Sequence, residues 1–195
     1  GIDAAGIVEE SKNSSFQSGD RVIVTSYDLG MNTDGGFGQF IQVPADWIIP
    51  LPDGMSLRES MILGTAGFTA AQGIHALLHN GQTPGQGPLL ITGARGGVGG
   101  IAIMMAAKLG FTVEAGVSEL AADTPNLLAL GASKVVDSGI TSDQSKRVLL
   151  RSRWAGAIDV VGGNTLATIL KSVSYGGNVV TVGNIESPTL NITVF

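Results

Sequence analysis

The chain has 195 residues, 44% hydrophobic and 14% charged, with 29 glycines, so it can bury a core and must turn often. A net charge of −5 argues against a general nucleic-acid surface, which needs clustered lysine and arginine. Without a cysteine the chain can form neither a disulfide framework nor a thiolate zinc site, and this fits a cytoplasmic location.

No signal peptide and no apolar run of membrane-spanning length is read in the sequence, so no membrane partner is expected. Gly1 leads straight into strand-like residues and Phe195 closes another apolar stretch. Both ends read as cut, so a fragment of a longer protein is expected.

Residues 1–50 read as all-β. Strands are expected at 2–8, 20–24, 40–43 and 47–49, with a glycine-rich loop at 32–38 and Pro44, Pro50 and Pro52 as punctuation. Short strands at this spacing suggest part of a small barrel. A helix is expected at 56–63, with Ser56 as N-cap and Glu59 completing a capping box. Gly64-Thr65-Ala66-Gly67 breaks the pattern, and a second helix at 68–78 ends near Asn80-Gly81. The domain boundary is placed at about residue 60.

From Pro88 onward strand and helix alternate. Strands are expected at 89–92, 112–117, 134–137, 157–161 and 178–182; helices at 98–109, 124–130, 142–150 and 165–172. Gly110 and Gly131 end two of those helices. This is the pattern of a doubly wound parallel sheet, in which a sixth strand would normally follow Phe195.

The chain is organised around residues 87–100. A buried strand runs into the glycine turn 93–97 and then into a small, apolar helix. Gly-x-Gly-x-x-Gly lies on Ala94-Arg95-Gly96-Gly97-Val98-Gly99, with alanine in the first place. In a dinucleotide fold one glycine makes the turn, one lets backbone approach a pyrophosphate, and one lets helix and strand touch. The helix N-terminus then offers N–H donors and partial positive charge to the phosphates.

Ligands of such sheets bind beyond the carboxyl ends of the strands. Those ends carry Gly93, Ser118-Glu119, Asp137-Ser138, Val161-Gly162-Gly163 and Val182-Gly183-Asn184. Glycine at three of the five suits close approach by a flat ring or a phosphate. An acid at Glu119 suits a ribose 2′-hydroxyl, as in NAD, and Lys134 suits a 2′-phosphate; either can equally be a solvated surface charge. His75 and His79 share a helix face, but two histidines and no cysteine do not make a metal site, and none is expected. No Gly-x-Ser-x-Gly elbow supports a serine triad. Glu114 is unexpected in a buried strand and has no reading beyond a polar edge or a partner domain.

The chain resembles the medium-chain dehydrogenases/reductases, within them the zinc-free quinone oxidoreductase branch and its acrylyl-CoA reductase (YhdH-type) group. The resemblance rests on Gly1-Ile2-Asp3-Ala4-Ala5-Gly6, Gly64-Thr65-Ala66-Gly67-Phe68-Thr69-Ala70, Thr92-Gly93-Ala94-Arg95-Gly96-Gly97-Val98-Gly99, Leu130-Gly131-Ala132-Ser133, Trp154-Ala155-Gly156-Ala157-Ile158-Asp159-Val160-Val161-Gly162 and Tyr175-Gly176-Gly177. It spans nearly the whole chain. It implies an α/β protein: a Rossmann doubly wound parallel sheet at 61–195, C-terminally truncated, plus part of a GroES-like β-barrel domain at 1–60. It also implies alanine at position 94, so the first place of the glycine pattern is not a defect.

The implied chemistry is metal-free. NADPH delivers hydride to the β-carbon of an α,β-unsaturated acyl thioester such as acrylyl-CoA, and the enolate is then protonated. The implied cofactor contacts are Ala94, Arg95, Gly96, Gly97 and Val98 at the pyrophosphate, Thr69 near the nicotinamide, and Val161, Gly162, Gly183 and Asn184 after the later strands. Ser118, Glu119 and Lys134 would lie around the 2′ position. Glu119 stands where the family carries a basic residue, and the loop 120–126 is about one residue longer, so NAD remains open beside NADPH. The family's cofactor-facing tyrosine near the N-terminus has no counterpart here, and no catalytic proton donor is named. The expected partner is a small enoyl thioester or quinone, with the full-length protein a homodimer. A quinone or enone reductase and a non-catalytic nucleotide-binding module are the alternatives.

Overall fold

A computed structural model describes residues 1–120 and 124–193. The chain divides into two compact units, Gly1–Phe68 and Thr69–Phe195. The division falls inside a helix, α1 (Leu57–His79).

In the first unit β1 (Asp3–Ile7), β2 (Arg21–Thr25) and β3 (Ile48–Pro50) form an antiparallel sheet in that order. Val22 and Val24 are buried while Arg21 is exposed and Ile23 and Thr25 are half-buried, the period-two pattern of a one-sided strand. The expected strand at 47–49 is displaced by one residue, because a 3-10 turn, Ala45–Trp47, precedes β3 and stacks Trp47 on Tyr27 at 5.4 Å. The expected strand at 40–43 does not form. Its residues have strand propensity but no ladder partner among the described residues, and Phe40 is 70% exposed. Propensity marks a side chain that fits a pleated surface; it does not supply an edge to pair with.

The start of α1 is the capping box read from the sequence. Ser56 Oγ accepts from Glu59 N (3.1 Å), and Glu59 Oε2 accepts from Ser56 N (2.8 Å). The helical path breaks at Gly64 (φ 49°, ψ −152°) and resumes at once. There Asp3 Oδ1 accepts from Thr65 N (3.0 Å) and Thr65 Oγ1 (2.8 Å), capping the resumed helix. A Cβ on Gly64 would sit 2.7 Å from Asp3 Oδ2, so the bend needs glycine twice over, for its φ and for its bulk. Asp3 of the motif Gly1–Gly6 thus holds Gly64 and Thr65, which open the motif Gly64–Ala70. Read as a single helix, α1 has the length and mean hydropathy (1.3 over its most apolar window) of a membrane span, which the reading as two shorter helices did not register. Its C-terminus is a Schellman motif: Gly81 (φ +81°) donates to Leu78 O and Gln82 N to Leu77 O.

In the second unit five parallel strands lie in the order β6-β5-β4-β7-β8: β4 (Leu89–Ile91), β5 (Val113–Gly116), β6 (Lys134–Val136), β7 (Trp154–Asp159) and β8 (Val173–Thr181). The connecting helices are α2 (Gly97–Lys108), α3 (Thr124–Ala129), α4 (Ser138–Thr141) and α5 (Gly163–Ser172). Gly110 (φ +90°) and Gly131 (φ +111°) close α2 and α3 with the same Schellman pairing that ends α1. β7, paired with β4 on one side and β8 on the other, is buried at every residue, the mark of a parallel strand covered on both faces.

Two expectations change here. The helix at 142–150 does not form; the helical turn is α4, capped by Asp137. Beyond it, side chains take the backbone groups a helix would use. Asp143 accepts from Ser145 N (3.1 Å) and Lys171 Nζ (3.2 Å), Thr168 Oγ1 accepts from Asp143 N (2.7 Å), and Asn164 Nδ2 donates to Asp143 O (3.0 Å). And β7 begins three residues before the expected 157, at fully buried Trp154. Trp154 accounts for Glu114: its Nε1 donates to Glu114 Oε2 (2.9 Å), and Arg153 Nε lies 3.5 Å from the same oxygen. A buried indole N–H needs an acceptor, and β5 supplies it.

Candidate functional site

Around β4 the glycines do separate work. Gly93 takes φ +58°, and Gly96 N donates to Gly93 O (2.9 Å) to close the turn. Ala94 is buried, and its N–H donates to Gly116 O (3.2 Å), holding the turn against β5. A Cβ on Gly99 would lie 2.3 Å from Gly93 O, so only glycine lets the first turn of α2 close on the strand. Gly96 is the N-cap of α2 and brings no side chain to it. The first helical bond, Gly100 N to Gly96 O (2.9 Å), leaves the N–H groups of Gly97, Val98 and Gly99 ahead of the ladder. Partial positive charge gathers at that terminus.

The later loops differ. Gly162 (φ +77°) caps α5, but Glu186 fills that helix terminus, its Oε2 accepting from Thr165 N (3.2 Å). A Cβ on Gly162 would meet Asn184 Cα at 2.9 Å, and one on Gly183 would meet Val160 O at 2.5 Å. At these atoms Gly162 and Gly183 serve the packing of the two loops on each other. Val161 is half-buried between them, and Asn184 is exposed.

Beneath the loops lies a group that stood in the sequence motifs without a role. Asp159, at the end of β7, is fully buried. Its Oδ1 accepts from Thr92 Oγ1 (2.5 Å) and its Oδ2 from Gly162 N (2.8 Å). Thr92 Oγ1 in turn accepts from Val160 N (3.0 Å), and Asp159 O accepts from Val182 N (2.7 Å). One residue therefore ties together the carboxyl ends of β4, β7 and β8. Burial pushes its carboxyl above the ordinary aspartate range, and the donors from Thr92, Gly162 and Val161 work against that rise. The available signal was an acid and a threonine closing otherwise apolar strands.

Thr69 belongs to the same unit. In α1, Gly73 packs on Ile158 and Val180, while Gln82 beyond the helix reaches Asn178 N (3.3 Å) at the start of that row. The helix thus runs against the strand direction, and Thr69, one turn before Gly73, lies about 6 Å nearer the carboxyl ends. On the β5 side Ser118 and Glu119 are exposed, and Arg95 Nη2 donates to Glu119 O (2.7 Å).

Lys134 is not brought to this rim. It opens β6 in register with Glu114, whereas Ser138 N donates to Ser118 O at the carboxyl edge. Four residues of strand separate the two levels, about 13 Å. The expectation that Lys134 meets the 2′ position rested on its opening the third strand and on the family resemblance, and the register places it at the amino end of the sheet. Of the lengthened loop 120–126, residues 121–123 lie outside the described residues.

The chain matches the zinc-binding dehydrogenase family over residues 97–195 and the alcohol dehydrogenase GroES-like domain over residues 1–53. It is 42% identical to acrylyl-CoA reductase AcuI of Ruegeria pomeroyi, covering 100% of this chain and 58% of that protein. A crystal structure of Bacillus subtilis protein yhfP with NAD bound superposes with TM-score 0.94 at 44% identity, over 99% of this chain and 58% of that one. The yhdH oxidoreductase of Salmonella enterica in complex with NADP gives TM-score 0.94 at 38% identity, over 99% and 59%. The chain thus spans under two thirds of the length of the relatives it matches.

The described residues do not by themselves assemble a zinc site. There is no cysteine, His75 and His79 stack at 6.0 Å, and no group of three histidine, aspartate or glutamate side chains gathers among the described residues. With its five-stranded parallel sheet, its glycine turn and an antiparallel N-terminal sheet, the chain belongs to the medium-chain dehydrogenase/reductase superfamily, matching the zinc-binding dehydrogenase family over half its length.

Proposed function

We propose that the unit Thr69–Phe195 binds a nicotinamide dinucleotide, NADPH in preference to NADH, and that the complete protein uses it to reduce an α,β-unsaturated acyl thioester of the acrylyl-CoA type. The observation that carries the reading is the start of α2. It is pressed onto β4 by Gly99, its Gly96 cap brings no side chain, and among the described residues no carboxylate bonds to it as Glu186 bonds to α5. Such a terminus suits a pyrophosphate. The main chain of Ala94, Arg95, Gly96, Gly97 and Val98 would cradle it, with Thr69, Val161, Gly162, Gly183 and Asn184 along the nicotinamide side. The Thr92–Asp159 pair holds those loops at fixed separation. When bound, the cofactor supplies a hydride for the β-carbon of the alkene, the α-carbon taking a proton. The acyl thioester is favoured by the likeness to an acrylyl-CoA reductase over the whole of this chain.

Steady-state turnover of acrylyl-CoA and of a small quinone by the complete protein tests the substrate. Saturable reduction of acrylyl-CoA with NADPH is expected, and saturable activity with the quinone alone overturns the thioester assignment. Titration with NADPH and NADH tests the site separately, and binding of neither overturns the cofactor reading.

A further inference from the structure

We infer that Arg95 sets the choice between NADPH and NADH, acting as the cation for the adenosine 2′-phosphate. The inference rests on the proposed dinucleotide site and goes beyond it by naming the residue that reads the ribose. In sheets of this topology the 2′ position is read at the end of the second strand, here the loop after β5. Arg95 stands on the first glycine turn, yet its Nη2 donates to the carbonyl oxygen of Glu119 at 2.7 Å. That bond spans the two loops and carries the guanidinium from the pyrophosphate turn to the ribose side. A guanidinium is a planar fork of donors matched to phosphate oxygens, and the bond to Glu119 O places it beside the loop after β5.

Four other cations of this unit stand at a different level of the sheet. Lys134 begins β6, about 13 Å of strand below the rim. Lys108 ends α2, Arg153 precedes β7 beside Glu114, and Lys171 near the end of α5 pairs with Asp143 at 3.2 Å. All four lie toward the amino ends of the strands. The acid on the same loop, Glu119, works in the opposite sense: its carboxylate suits a 2′-hydroxyl and repels a 2′-phosphate. Selectivity is then the balance of two neighbouring residues on adjacent loops, with Arg95 providing the attraction that a lysine on β6 cannot reach to provide.

The test is the ratio of dissociation constants for NADPH and NADH, with 2′,5′-ADP and 5′-AMP as probes lacking the nicotinamide. It is measured by calorimetry on wild type, Arg95→Gln, Arg95→Lys and Lys134→Gln. A charge-assisted contact of this kind corresponds to about tenfold to a hundredfold. Arg95→Gln is expected to weaken NADPH relative to NADH, and 2′,5′-ADP relative to 5′-AMP, by that factor. Arg95→Lys is expected to recover part of it, and Lys134→Gln to move either ratio less than about twofold. Equal weakening of both partners in Arg95→Gln overturns the inference, because it assigns Arg95 to the shared pyrophosphate; an unmoved ratio, or a ratio governed by Lys134, overturns it as well. Wild type binding none of the four ligands is the failure of the dinucleotide reading itself, and takes this inference with it.

Discussion

Thr92→Val is the sharpest perturbation of the clamp under the loops. Valine keeps the shape and removes one oxygen. That oxygen donates to Asp159 Oδ1 at 2.5 Å and accepts from Val160 N at 3.0 Å. Thr92 is 2% exposed and Asp159 0%, so water does not replace it. Losing a hydrogen bond to a charged group costs about 1.5–3 kcal/mol, and stranding a buried N–H adds about 1–3 kcal/mol. The two losses share one atom and are not independent, so about 3–4 kcal/mol is expected. For a chain of this size that corresponds to roughly 6–16 °C in Tm. Thr92→Ser keeps the oxygen and loses one methyl group, about 1 kcal/mol.

The pH dependence gives a second reading of the same change. Burial raises the Asp159 carboxyl above its unfolded value, and Thr92 is the first-named donor opposing that rise. A group raised on folding lends its stability below the unfolded pKa and loses it as pH climbs through the folded one. Without Thr92 Oγ1 the folded carboxylate is worse placed still, so Thr92→Val must hurt more at pH 7 than at pH 5. Trp154 fluorescence reports this unit once Trp47, the other tryptophan of the chain, is changed to Phe. Denaturant midpoints of the valine and serine variants at the two pH values then decide the matter. Equal stability of the two at pH 7, or a difference that ignores pH, refutes the clamp.

Gly99→Ala puts a carbon 2.3 Å from Gly93 O and should abolish measurable dinucleotide binding while costing at least about 2 kcal/mol, checked by cofactor titration and urea midpoint. Glu119→Arg should tighten NADPH relative to NADH; unchanged or weaker NADPH binding means that Glu119 does not face the 2′ position. Asp3→Ala removes the cap from Thr65 N and should lower stability by about 1–2 kcal/mol, with Asp3→Asn retaining more than half of it. Equal losses for the alanine and asparagine variants, read from the transition of a Trp154→Phe background in which Trp47 remains, would place the effect elsewhere.

What could be read from the sequence was what lies close along the chain. The capping box of Ser56 and Glu59, the glycines that end three helices, and the alternation after Pro88 each need only a few neighbouring residues, and each appears where it was expected. The misses all depend on distant partners. Residues 40–43 have the composition of a strand and no strand beside them. Residues 142–150 have a helix pattern, but Asn164, Thr168 and Lys171 take their polar groups. Glu114 makes sense only once Trp154 arrives 40 positions later, and Asp159 only beside Thr92, 67 positions earlier. Lys134 failed for the converse reason: its place along the chain is right and its level in the sheet is wrong.

The helix termini bear on why the proposed site is placed at one loop among several similar ones. Every helix start attracts negative charge. In this chain Glu59 answers that demand at the start of α1, Asp3 after the break at Gly64, Asp137 at α4 and Glu186 at α5. At α2 the corresponding residues are Gly96, Gly97, Val98, Gly99 and Gly100, which bring no acid to the terminus. A carboxylate there would supply stability that the fold obtains at its other helices, so its omission costs the unliganded protein and leaves the terminus to an anion from outside. Placing one in the chain is therefore a direct test: Gly96→Asp, at an extended position (φ −78°, ψ 168°) that any residue adopts, should cap α2 and stabilise the unit by up to about 1 kcal/mol. The same change should weaken NADPH and NADH alike, by like charge against the pyrophosphate. A variant that gains the stability and still binds both dinucleotides at wild-type strength would mean that the phosphates do not sit at α2.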